Sequence, residues 1–137
     1  QKITRDWWRD ALAKYDMIVS DVVLREASIG DPQAVQDRLV VLQAMAKLAI
    51  TQEAQDLANA LILRGAVPTT EPEDALHIAL AAVNWIEYLV TWNFKHIANP
   101  AMRLQISDVC VAEGYGRPTI CTPEDLMEYI CVIAEEF

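Results

Sequence analysis

Basic side chains are scarce: 11 Lys and Arg stand against 20 Asp and Glu, a net charge of −9. That argues against a broad nucleic-acid-binding surface, which neutralises phosphates with Lys and Arg. It leaves room for an enzyme that meets phosphate through bound cations, or for a protein covered by a basic partner. Gly (4) and Pro (6) are few and no low-complexity run occurs, which argues against disorder. The longest apolar run, around Ile78 to Val83, is too short to span a membrane and lies beside Asp74, His77 and Asn84, as a buried helix would. No signal peptide is read, so a cytoplasmic protein without membrane association is expected. Cys110, Cys121 and Cys131 are odd in number and include no C-x-x-C, which removes zinc-finger spacing and points to reduced, partly buried thiols. There is also no G-x-S-x-G, no Gly-rich phosphate loop and no H-E-x-x-H.

What is present is an apolar fraction of 53% in 137 residues, enough for the core of one domain. Capped helices alternate with short apolar strands. Thr4 opens a helix to about Tyr15, followed by the β-prone run Met17 to Ser20 and a helix from Val22 to about Ile29. Gly30 ends that helix, and Asp31-Pro32 restarts the chain with a cap and an N1 proline. Leu48-Ala49-Ile50 is a brief strand candidate. Ala54, Leu57, Ala58, Leu61 and Ile62 then give one face of a helix that Gly65 closes. Thr70-Glu71-Pro72-Glu73 has the form of a capping box, and the helix behind it is apolar nearly all round. Tyr88 to Thr91 reads as a strand, Asn99-Pro100 starts another helix, Thr119 to Cys121 is a further strand, and Thr122-Pro123 opens the last helix. Such alternation implies a parallel sheet covered on both faces, with ligand sites beyond the carboxyl ends of the strands. Ser20, Thr91, Asn93 and Thr122 fall at such ends.

Most acidic residues, Asp37, Asp56 and Glu87 among them, need only a solvated helix or loop surface. Glu26 and Asp74 differ, because each lies in a segment expected to be at least half buried. Each also has an ordinary explanation: a salt bridge for Glu26, a helix-dipole partner for Asp74. Their placement near one rim with Asn93 suits a second role. Hard divalent ions take oxygen ligands, and Mg²⁺ keeps waters and only one or two carboxylates. Phosphodiester hydrolysis needs an activated water and a clamp on the leaving oxygen, both of which bound metal supplies. His77, one helical turn after Asp74, is either a satisfied histidine at a packed edge or a supporting group. Lys95 and His96 either touch a phosphate or face water. A Cys–His nucleophile pair drawn from Cys110 or Cys121 and His77 or His96 has no local support in the sequence.

Asp74-Ala75-Leu76-His77-Ile78-Ala79, followed by Leu89-Val90-Thr91-Trp92-Asn93, resembles the second half of PIN domains, and more narrowly of VapC-like ribonuclease toxins. Ser20 to Glu26 resembles the family segment that bears its second acid, and Ile120 to Leu126 its last strand and helix. The likeness runs from about Trp7 to Met127. It implies one PIN-like domain over residues 1–137, a three-layer α/β/α sandwich on a parallel central sheet. It implies a metal-dependent endoribonuclease using Mg²⁺ or Mn²⁺, with an RNA substrate, a small antitoxin partner and a homodimer. By resemblance Glu26 is the second acid, Asp74 the third, Asn93 stands where the fourth acid sits, and Thr91 is a supporting hydroxyl, as Ser20 and His77 would be. The family's first acid ends a central strand that has no counterpart before Thr4, so an upstream strand carrying an Asp or Glu is expected. The alternative is a catalytically weakened PIN-fold binding or interaction module, with Trp7, Trp85 and Trp92 as possible interface aromatics.

Overall fold

Alanine sets how closely the helices of the second half pack. The computed structural model describes residues 18–20, 28–42, 46–90 and 100–121. The chain divides into two compact units, Gln1–Thr51 and Gln52–Phe137.

In the first unit, β1 (Ile18–Ser20) pairs in parallel with β2 (Ala46–Leu48), with Ile18 opposite Ala46 and Ser20 opposite Leu48. Parallel neighbours need a long crossover, and this one contains α1 (Pro32–Leu42). Asp31 caps α1 as its sequence suggests: the Ala34 N–H donates to Asp31 Oδ2 at 3.2 Å, and Pro32 fills the first helical position. Ser28 to Gly30 form a turn where the sequence suggests the end of a helix, with Gly30 at φ +117°. The strand expected at Leu48 to Ile50 lies two residues earlier, because the register on β1 ends at Leu48. The expected helix from Thr4 lies outside the described residues.

The second unit contains α2 (Gln52–Leu63), α3 (Pro72–Val83), β3 (Tyr88–Val90), α4 (Pro100–Ala112) and β4 (Thr119–Cys121). Ala54, Leu57, Ala58 and Leu61 are buried on α2, as the i, i+3, i+4, i+7 spacing requires. They meet α3, whose Ala75, Ile78, Ala79, Leu80, Ala81 and Ala82 are all buried. Small residues let the two backbones approach closely, and Leu57, Leu61, Ile78 and Leu80 fill the remaining space. Each of these larger side chains contributes about 1.5–3 kcal/mol through burial. Ile106, Val109 and Cys110 add the inner side of α4. β3 and β4 pair in parallel, Tyr88 opposite Thr119 and Val90 opposite Cys121.

Three helices of this unit end alike. At α2, Gly65 N–H donates to Ile62 O at 3.0 Å and Ala66 N–H to Leu61 O at 2.9 Å, with Gly65 at φ +75°. At α4, Gly114 N–H donates to Val111 O and Tyr115 N–H to Cys110 O, with Gly114 at φ +89°. Both are Schellman closures with glycine at C′. At α3 the same two bonds form, Trp85 N–H to Ala82 O and Ile86 N–H to Ala81 O, but the left-handed residue is Trp85, at φ +54°.

The alternation of helices with short parallel strands makes the chain mixed α/β, as expected. Among the described residues no helix is long and apolar enough to cross a membrane.

Candidate functional site

Asp74 owes its position to a proline. Glu71 N–H donates to Pro68 O at 3.0 Å, turning the chain, and Pro72 then occupies the first position of α3. A proline there loses no hydrogen bond and arrives with a helical φ. The N-cap is therefore Glu71, with φ −123° and no side-chain capping bond, and not Thr70 as the capping-box pattern suggests. Thr70 belongs to the preceding turn. The shift by one places Glu73 and Asp74 second and third in the helix, both in its first turn.

The Asp74 side chain is half-buried, and its Oδ2 is shielded from water. His77, also half-buried, follows one turn later on the same face. These two expected site residues are brought together on α3. Ser20 is the last residue of β1, as anticipated. β3 ends at Val90, immediately before Thr91. Glu26, Thr91, Asn93, Lys95 and His96 lie outside the described residues, as do Thr122, Cys131, Trp7 and Trp92.

Among the described residues no group of three or more His, Cys, Asp or Glu side chains could hold a metal ion. The donor chemistry fits: a carboxylate with one shielded oxygen is a hard ligand of the kind Mg²⁺ and Mn²⁺ take.

Cysteine chemistry does not offer an alternative in the described part. Cys110 is fully buried on α4, and burial pushes its thiol up from 9.0 to about 11, against a smaller opposing effect from a backbone hydrogen bond. The nucleophilic form is the thiolate, so this environment suits an inert core thiol. Cys121 is buried in β4.

One feature escaped the sequence reading. An open hollow of about 490 Å³ is lined by Trp85, Ile86 and Glu87 on the way from α3 to β3, and by Val111, Tyr115, Gly116 and Arg117 at the end of α4 and on the way to β4. Trp85 is 67% exposed there. The available signal was Trp85 itself, a bulky residue just after Asn84 at a helix end that has no glycine. No family model, no curated protein and no solved structure matches the chain.

Proposed function

We propose that the chain is a metal-dependent endoribonuclease of the PIN type, the toxin of a toxin–antitoxin pair, with Asp74 as a carboxylate that holds its divalent cation. The observation that carries this reading is the setting of Asp74: half-buried, one oxygen shielded from water, in the first turn of the most apolar of the described helices. Mg²⁺ needs only one or two carboxylates, with water completing its shell. By the resemblance, Glu26 supplies the second acid and Asn93 a neutral oxygen, while Ser20, Thr91 and His77 support them. A bound cation supplies the charge that activates water and steadies the leaving oxygen of a phosphodiester. Lys95 and His96 steady the phosphate itself. The reading carries with it a three-layer α/β/α sandwich, a homodimer, an antitoxin chain and a cytoplasmic setting.

The test is cleavage of single-stranded RNA by the full-length protein in Mg²⁺ or Mn²⁺. Cleavage is expected, chelation of the metal stops it, and Asp74→Asn abolishes it; unchanged cleavage by that variant rejects the role. A second reading, a PIN-fold binding module that no longer cuts, is favoured by the −9 charge and by the neutral amide of Asn93. RNA that binds but stays intact in both metals selects it.

A further inference from the structure

We propose that the hollow beside Trp85 is a docking site for a basic segment of a partner protein, which places a Lys or Arg side chain against the Trp85 ring. The site stands apart from Asp74. It lies where the chain enters β3 and β4, at their amino ends, and where α3 and α4 finish, whereas Asp74 is in the first turn of α3. A helix of 12 residues spans about 18 Å, so the two places are a helix length apart. The inference therefore does not depend on RNA cleavage.

Three observations define the guest. The first is electrostatic. Both α3 and α4 end at the hollow, and helix carboxyl ends carry partial negative charge. Glu87 adds a carboxylate, and the faces of Trp85 and Tyr115 carry the negative side of an aromatic quadrupole. Among the described lining residues Arg117 balances Glu87, so the negative bias comes from the helix ends and the ring faces. An ammonium or guanidinium is favoured over a phosphate at the ring faces and helix ends. The chain as a whole, at −9, steers basic partners towards it.

The second is the cost of Trp85. A non-glycine residue in the left-handed region is strained, and the other two helix ends of this kind avoid the strain with Gly65 and Gly114. An indole left 67% exposed recovers little of that cost by burial. Strain held at an exposed aromatic points to a recognition role.

The third is preorganisation. Gly116 N–H donates to Ala82 O at 3.3 Å, and the bare Cα of Gly116 backs directly onto the ring of Trp85. Ile86 and the 51%-exposed Val111 supply an apolar wall for the methylene stem of a long basic side chain.

The experiment is a ¹⁵N NMR titration of the full-length protein in EDTA. The probes are a capped ten-residue peptide of alternating Lys and Ala, its Glu counterpart, and a ten-nucleotide oligouridine. The Lys peptide is expected to shift the Trp85 indole and Gly116 amide resonances, more weakly as salt rises, while the Glu peptide and the RNA leave them in place. Trp85→Ala and Glu87→Gln each weaken binding by about two- to fivefold. Glu87→Gln is nearly isosteric and guards against a folding defect in the other variant. No shift at Trp85 with the Lys peptide, a shift there with the RNA, or unchanged affinity in both variants overturns the proposal.

Discussion

The ring of Trp85 lies so close to Gly116 that a Cβ added at Gly116 would sit 2.9 Å from its Cε3 and 3.4 Å from its Cδ2. Ring and backbone share one space, and glycine is the residue that leaves it open. Gly116→Ala is expected to cost about 1 kcal/mol, towards the low end for overpacking because the exposed ring can swing outward. In a Trp85→Ala background the same change is expected to cost nothing, a coupling that a double-mutant cycle in urea measures.

Trp85→Gly is expected to stabilise the protein. It relieves a left-handed conformation worth about 1 kcal/mol and sacrifices a ring that is mostly in water. Thermal denaturation is expected to show a Tm higher by a few degrees, about 3 °C. A lower Tm would mean that the ring contributes more by packing than its backbone costs.

Gly65 and Gly114 present the opposite balance. Both have positive φ, and an added Cβ at either would meet nothing within 4 Å. Alanine at either position is therefore expected to cost about 1 kcal/mol through backbone strain alone. Asparagine is expected to cost less, since it tolerates the left-handed region. Urea midpoints of the four variants check this order.

Cys110 links stability to alkaline pH. Its thiol ionises at about 11 in the folded chain and at about 9.0 when exposed. Below 9 both states carry a neutral thiol, and the contribution of its burial is fully present. As pH rises from 9 towards 11 the unfolded chain loses its proton first, so stability falls across that window. Urea denaturation at stepped pH is expected to show a steeper fall for the native chain than for Cys110→Ala.

The elements legible in advance were those with redundant signals. The α2 stripe of Ala54, Leu57, Ala58 and Leu61 was reinforced by Gly65, and α4 by Asn99-Pro100 before it and Gly114 after it. β2 was misplaced by two residues because a three-residue strand has almost no periodicity, and only its pairing with Ser20 fixes where it ends. Thr70 and Glu73 imitated a capping box, yet Pro72 decided the helix start. Trp85 was legible as an exposed aromatic, but its left-handed backbone was not, since the pattern for such a helix end is a glycine. Asp74 was legible as an acid at the head of a buried helix. Glu26 and Asn93, named with it, lie outside the described residues, and residue spacing alone does not encode the tertiary contacts that would join them.

The most direct test of the central claim is paramagnetic broadening by Mn²⁺ in the full-length protein. At substoichiometric Mn²⁺ the amides of Glu73, Asp74 and Ala75 are expected to broaden first, ahead of those beside the exposed carboxylates Asp37 and Asp56. Asp74→Asn is expected to remove that broadening, and Glu26→Gln to weaken it. Broadening confined to exposed helix carboxylates, with the first turn of α3 still sharp, would contradict a cation held at Asp74.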